Sequence, residues 1–346
     1  MRLGLVLFFG IGFLYGIQAQ TYTGFIYDNN TKEPLLGVSV YFDGTTLGTI
    51  TDEKGYFQIA VDGEINAPLM ATFMGYSPFT IASATRGGIT HIYLKPTQVN
   101  LTEVILVHDD WQAKKKWKYF RREFLGRTKA GRQSTIKNPE VIQLRYDKND
   151  SILYAYADDQ IHIQNDYLGY DITYNLVEFS VKLEPHPYLS DDNELYGTQV
   201  KWRGSSFFKE TLADRGSIKK RRVKVYNSSL SRFMRAAKNG SLEEIGYRLF
   251  YDLKAPAVAP SVVFGGYGIA DNSKLLAKPK TFYIQDSEGH ISQWQNKKPG
   301  QSFQVDFYGI HTPWDQITFY GQFGETRIGD MLPLSYFPWK SNGRLK

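Results

Sequence analysis

Between residues 22 and 107 apolar and polar positions alternate in short runs separated by turn-forming residues. Thr23–Tyr27, Val38–Phe42, Thr49–Thr51, Tyr56–Ile59, Leu69–Phe73, Thr90–Leu94 and Glu103–Val107 read as strands. Asp28-Asn29-Asn30-Thr31, Asp43-Gly44 and Asp52-Glu53-Lys54-Gly55 supply the turns, through Asx bonding and glycines able to take positive φ. Seven short strands at this spacing predict a β-sandwich. The period then changes. Ala113, Trp117, Phe120 and Phe124 fall at i, i+4, i+7 and i+11, one stripe of a helix, with Trp117 expected in the core and Asp109 or Asp110 as the N-cap. From Val141 the alternation returns. Val141–Tyr146 and Ile152–Tyr156 flank Asp147-Lys148-Asn149-Asp150 as a hairpin. Gly169–Leu183, Lys219–Tyr226, Ile245–Tyr251, Thr281–Gln285, Ser302–Tyr308 and Gln316–Phe323 read as further strands. Ser228 or Ser229 caps a second helix with an apolar face of Leu230, Phe233, Met234 and Ala237, ended by Gly240. Ala255–Gly268, rich in proline and glycine, reads as a loop. The predicted fold is mainly β: a seven-stranded sandwich over 20–107, then a β-rich domain over 108–346 that opens with a basic amphipathic helix and holds two short helices.

Ahead of the sandwich, Arg2 is followed by an apolar run from Leu3 to Ile17 and then Gln18-Ala19-Gln20. The run is shorter than the ~20 residues needed to cross about 30 Å of hydrocarbon. It predicts a signal peptide over residues 1–19, cleaved between Ala19 and Gln20, and so an exported chain in the periplasm, outer membrane or cell surface. No cysteine occurs, which excludes disulfides, thiol chemistry and lipidation of an N-terminal cysteine.

Composition supports β structure, with aromatic residues at 15%, among them 24 Tyr and 22 Phe. Charge is concentrated. Between Trp111 and Arg132 the chain carries nine Lys or Arg and one acidic residue, Glu123, whereas the whole chain sums to only +6. Lys114, Lys115, Lys118, Arg121 and Arg122 fall largely off the apolar stripe of the predicted helix. They are either a solvated face or a patch for an anionic partner, lipid or acidic glycan. An exported chain without a groove-reading motif does not point to nucleic acid.

The sequence offers no catalytic or metal-binding residue and no cofactor site. His91, His108, His162, His186, His290 and His311 begin no His-Glu-x-x-His or His-x-x-Glu pattern, which would place two zinc ligands on one element. No Gly-x-Ser-x-Gly elbow and no phosphate-cradling loop occur. Gly265-Gly266-Tyr267-Gly268 opens no predicted helix, so it is not a dinucleotide fingerprint. Asp147-Lys148-Asn149-Asp150-Ser151 has Ile152 where a calcium loop needs glycine. His162 is expected on a strand, opposite its flanking isoleucines.

Several spaced elements resemble one family. They are Gly24-Phe25-Ile26, Glu33-Pro34-Leu35-Leu36-Gly37-Val38-Ser39-Val40, Gly44-Thr45-Thr46-Leu47-Gly48-Thr49-Ile50-Thr51-Asp52, Gly55-Tyr56-Phe57-Gln58-Ile59, Phe73-Met74-Gly75-Tyr76 and Leu101-Thr102-Glu103-Val104-Ile105. Together they are similar to the carboxypeptidase-regulatory-like domain, found in envelope proteins of Bacteroidetes and often ahead of TonB-dependent transporters. The resemblance implies a transthyretin-like sandwich used for folding or docking. It implies no peptidase activity, because in that family the catalytic unit is a separate domain. Phe124-Leu125-Gly126, Asn138-Pro139-Glu140, Leu168-Gly169-Tyr170-Asp171-Ile172 and Asp330-Met331-Leu332-Pro333-Leu334 resemble proteins that follow the same module in Bacteroidetes, and carry no known chemistry with them.

The expected function is therefore a non-enzymatic envelope protein that binds or docks through its sandwich, with an envelope protein, anionic lipid or glycan as partner. Two other functions compete. The later strands could close into a small outer-membrane barrel, which the Tyr and Phe content favours. Against it stand two helices, Lys182 and Glu184 in the longest run, and the polar tail Lys340–Lys346. A glycan-binding surface protein is favoured by the surplus of Trp and Tyr.

Overall fold

The computed structural model describes residues 19–82, 88–97, 111–185, 194–212, 215–268 and 274–338. The first seven strands are β1 (Ala19–Asp28), β2 (Ser39–Phe42), β3 (Gly48–Ile50), β4 (Tyr56–Asp62), β5 (Leu69–Thr72), β6 (Phe79–Ile81) and β7 (Ile89–Leu94). They form two sheets, β4-β1-β7 and β3-β2-β5-β6. In β4 burial alternates, with Phe57, Ile59 and Val61 inside and Gln58, Ala60 and Asp62 outside. That period-2 pattern sends the apolar side chains of both sheets into one shared core. Asp52 closes the turn into β4 by accepting from the Lys54 and Tyr56 amides, each at 2.9 Å. Gly55 sits there at φ 71°, and a Cβ would lie 2.4 Å from the Ile26 carbonyl oxygen, so only glycine fits.

The seven strands differ from the expected set in one member. Glu103–Val107 lies outside the described residues, and β6 is a strand that the sequence pattern did not show. It is three residues long with both Phe79 and Thr80 exposed, so it has no buried face to generate alternation.

The chain continues with α1 (Ala113–Leu125), α2 (Lys129–Arg132), β8 (Ser134–Ile136), β9 (Ile142–Asp147), β10 (Ile152–Ala157), β11 (Ile161–Asn165), β12 (Tyr170–Pro185) and β13 (Leu195–Glu210). The two 16-residue strands β12 and β13 pair antiparallel along their whole length. On its other edge β12 takes β11 and β10, which carry β8 and β9 outward. Helix α1 packs on this sheet through a core that includes Phe120, Phe124, Ile163, Tyr174 and Phe179.

The last part holds α3 (Gly216–Asn227), α4 (Leu230–Asn239), β14 (Arg248–Phe250), α5 (Pro260–Val263), β15 (Phe264–Gly265), β16 (Lys274–Ala277), β17 (Thr281–Gln285), β18 (Ile291–Asn296), β19 (Gln301–Val305), β20 (His311–Thr312) and β21 (Ile317–Gly321). Its two four-stranded sheets, β14-β17-β18-β21 and β15-β16-β19-β20, enclose a third core around Trp294. Ser229 caps α4 by accepting from the Arg232 amide, and Gly240 ends it in the left-handed conformation.

Two expectations are corrected. Lys219–Tyr226 belongs to helix α3, not to a strand. The alternation at Val223 and Val225 is outweighed by burial at Ile218, Arg222 and Tyr226, which recur every four residues, and by Lys and Arg, which are good helix formers. With α2 and α5 as well, the part after residue 108 carries more helix than the two expected. The barrel alternative also fails: among the described residues every sheet is an open ribbon with edges, and the interior is packed with apolar side chains.

The sandwich is bound tightly to the rest of the chain. Thr45 forms a parallel bridge with Phe207 of β13, flanked by bonds from the Gly44 amide to the Ser206 carbonyl (2.7 Å) and from the Phe208 amide to the Thr45 carbonyl (3.0 Å). Tyr308 and Phe337 complete the sandwich core from far along the chain.

Candidate functional site

Helix α1 carries Lys114, Lys115, Lys118, Arg121 and Arg122, expected either as a solvated face or as a patch for an anionic partner. Its buried residues are Tyr119, Phe120, Glu123, Phe124 and Leu125. Ala113 is exposed and Trp117 half-buried at the rim, which corrects the expected stripe. The face is turned toward Tyr119 because its hydroxyl accepts the Leu195 amide at 3.1 Å, tying the helix to β13. The N-cap is Gln112, without a side-chain bond, while Asp109 and Asp110 lie outside the described residues.

Three of the five cations, Lys118, Arg121 and Arg122, form ion pairs or hydrogen bonds within the chain. Lys118 Nζ is 2.6 Å from Glu194. Arg122 reaches Glu123 and Glu194, each at 2.8 Å, and donates to the Leu195 carbonyl at 2.7 Å. Arg121 donates to the carbonyls of Arg132 and Ser134 at 3.0 and 2.9 Å. Lys115 lies over the Trp111 ring at 4.1 Å, and Lys114 is exposed. The patch is thus in large part a set of struts that hold α1 to β13 and β8.

Among the described residues no three of His, Asp or Glu converge as metal ligands. A grouping that the sequence did not reveal is Ser228, His290 and Asp286. Ser228 Oγ is 3.4 Å and Asp286 Oδ2 2.9 Å from the same ring nitrogen, His290 Nδ1. A Ser-His-Asp nucleophile needs its serine and its acid on opposite ring nitrogens, so this arrangement cannot relay a proton. Asp286 Oδ1 accepts from the Glu288 and His290 amides, each at 2.9 Å, which makes the grouping a brace for the β17–β18 turn. His162 is exposed on β11 between buried isoleucines.

At the seam between sandwich and body, Asp43 accepts the Ser206 amide at 2.7 Å. Burial pushes its carboxyl up to about 6, against hydrogen bonds from Ser206 and Gly44 that pull it down. The folded value lies above the unfolded 3.8, so the neutral acid is the form the fold favours. Its stabilising contribution is complete below pH 3.8 and is lost as pH rises through about 6. Asp43→Asn is therefore expected to flatten the pH dependence between those values. Urea midpoints of parent and variant across this range measure it, and a constant difference between the two would refute it.

The two outer faces of the sandwich differ. On β3-β2-β5-β6 the outward Tyr41, Met70 and Thr72 are buried, and Tyr41 packs on Phe207 with ring centroids 5.0 Å apart. Asn175 donates to the Tyr41 hydroxyl at 2.7 Å. On β4-β1-β7 the outward face is open. Register aligns Tyr56, Phe25 and His91 in one row across the three strands and Tyr27 with Tyr93 in the next. Ring centroids lie 5.3 Å apart for Phe25–Tyr56, 5.8 Å for Phe25–His91, 6.0 Å for Tyr27–His91 and 5.5 Å for Tyr27–Tyr93. The last three pairs are within 26° of parallel. His91 and Tyr93 are exposed. Phe25, Tyr27, His91 and Tyr93 were visible at alternate positions of two runs, but only strand register brings them together.

The sandwich matches a known family: residues 22–106 fit the CarboxypepD_reg-like domain. A curated relative of this segment is the TonB-dependent receptor SusC of Bacteroides thetaiotaomicron, 36% identical over 91 residues, which are 26% of this chain and 8% of the receptor. The chain therefore spans under a tenth of that relative's length. Among solved structures, a DUF3823 family protein from Bacteroides ovatus is 8% identical, over 79% of this chain and 93% of the other, at a TM-score of 0.18. A Bacteroides uniformis protein to which carbohydrate binding is ascribed is 8% identical, over 87% and 98%, at a TM-score of 0.17. Scores this low carry no argument about the fold.

Proposed function

We propose that this chain is a non-enzymatic, exported protein of the bacterial cell envelope, in which the sandwich is a binding or docking module carried on a β-rich body. The observation that carries this reading is the asymmetry of the sandwich. The rest of the chain covers Tyr41, Met70 and Thr72 in the middle of one outer face, while the other carries a row of aromatic side chains of which His91 and Tyr93 are exposed and Phe25, Tyr27 and Tyr56 half-buried. Tyr and Phe side chains are enriched at interaction surfaces. The likeness of residues 22–106 to a segment of a TonB-dependent receptor supports placing the chain in the envelope. No described helix is long and apolar enough to cross a membrane. In this reading α1 serves the architecture, since Lys118, Arg121 and Arg122 hold it to the sheet.

Fractionation of the producing bacterium tests the proposal. The chain is expected in the envelope fraction, with an N-terminus at or near Gln20 by intact mass. Recovery from the cytosol with residues 1–19 retained would overturn it.

A further inference from the structure

We propose that the open β4-β1-β7 face is a stacking platform for a neutral glycan, with sugar rings laid on Tyr27, Tyr93, His91 and Phe25. The proposal rests on the reading of the sandwich as a binding module and gives that module a ligand class.

Three observations favour a sugar over other occupants. The first is chemistry. The negative faces of aromatic rings attract the weakly positive C–H groups that line one side of a pyranose. Polar edges stand beside them: the Tyr56 hydroxyl donates to Gln58 Oε1 at 3.1 Å, and Thr23 and Gln58 occupy the adjoining row.

The second is charge. The outward positions of these rows are Thr23, Phe25, Tyr27, Tyr56, Gln58, Ile89, His91 and Tyr93, with no carboxylate among them. Lys32 lies over the Tyr93 ring at 4.7 Å. A polyanion or a strongly charged protein patch would find no matching array here.

The third is size. Three strands about 4.8 Å apart and five residues at about 3.4 Å each give a strip roughly 10 by 14 Å. A stable protein interface covers about 800 Å² on each partner, several times this strip. A run of two or three sugar rings fits it.

Cross-strand aromatic pairs also stabilise a sheet, so stability must be read alongside binding. The experiment is calorimetric titration of the full chain with hexasaccharides of α1,4-linked glucose, β1,4-linked glucose and β1,4-linked mannose. At least one is expected to bind the parent. Tyr27→Ala with Tyr93→Ala should weaken that binding by about tenfold or more, the scale of a lost stacking contact. Tyr93→Phe, which keeps the ring, should retain it. Tyr93→Ala alone should move the melting temperature by no more than about 4 °C, which separates lost binding from lost fold.

If no hexasaccharide binds at millimolar concentration, or if the double variant binds as well as the parent, the glycan platform is refuted. A photo-crosslinking residue placed at position 93 in cells then separates the two readings. A crosslink to one envelope protein would refute the glycan while leaving the docking module standing. No crosslink and no sugar would remove both.

Discussion

Phe124→Ala is expected to destabilise the protein by about 3–5 kcal/mol, the usual loss for an aromatic ring removed from a close-packed core. The ring is 1% exposed. It stacks on Phe120 at 5.0 Å and 14°, and meets Tyr174 and Phe179 edge-on at 5.3 and 5.9 Å. Phe124 is thus the point where α1 grips both the middle of β12 and its own preceding turn. Removing it leaves a void bounded by rings that cannot close over it. Trp117→Ala is expected to cost less, about 1–2 kcal/mol, in proportion to the smaller area its half-buried ring hides from water. Urea midpoints at unchanged slope measure both. A larger loss at Trp117 than at Phe124 would return the core stripe to the one the heptad-like spacing alone predicts.

That contrast shows where the sequence was legible. Turn chemistry and period-2 alternation located most of the sandwich because its inner face is uniformly apolar and its turns need Asp and Gly in fixed places, as at Asp52 and Gly55. The capped helix from Leu230 to Asn239 was legible for the same reason, since Ser229 and Gly240 act locally. The face of α1 was not. Its rotation is set by Glu194 and Leu195, more than seventy residues later, which draw Lys118, Arg122 and Tyr119 toward β13. Helix α3 is not legible because a strand-like run of Val223, Val225 and Tyr226 conceals a four-residue burial period that includes an arginine. Arg222 is buried there because its guanidinium donates to the Leu168 and Gly169 carbonyls and lies 4.0 Å over the Tyr170 ring. No local pattern announces a buried cation. The aromatic platform was hidden for a related reason: its members are ordinary alternating residues until strand pairing puts β1 beside β7.

Arg235 is the second place where a large effect is expected. Arg235→Met should cost about 3–5 kcal/mol, because it leaves several acceptors inside the protein without a donor. The side chain sits in α4 and is 6% exposed, and burial pulls its guanidinium below the ordinary arginine range. It donates to the carbonyls of Tyr308 and Tyr336, each at 3.0 Å, to the Leu334 carbonyl, and to the Tyr226 hydroxyl at 3.2 Å, while lying 4.0 Å over the Phe337 ring. The three carbonyl acceptors belong to the segments that enter the sandwich. The Tyr308 hydroxyl donates to the Asp62 carbonyl at 2.8 Å, the Leu334 amide to the Gly44 carbonyl at 2.7 Å, and Phe337 lies in the sandwich core. Methionine fills much of the volume but donates nothing, so three buried carbonyls lose a donor at about 1–3 kcal/mol each before water enters. The loss should be directional. Hydrogen exchange at the Gly44 and Leu334 amides is expected to accelerate, while amides of the β17–β18 hairpin keep their protection. Arg235→Lys should recover only part of the stability, because one ammonium cannot reach acceptors spread around a planar fork. A loss below about 1 kcal/mol in Arg235→Met, a typical surface value, would show that the sandwich holds to the body without this arginine.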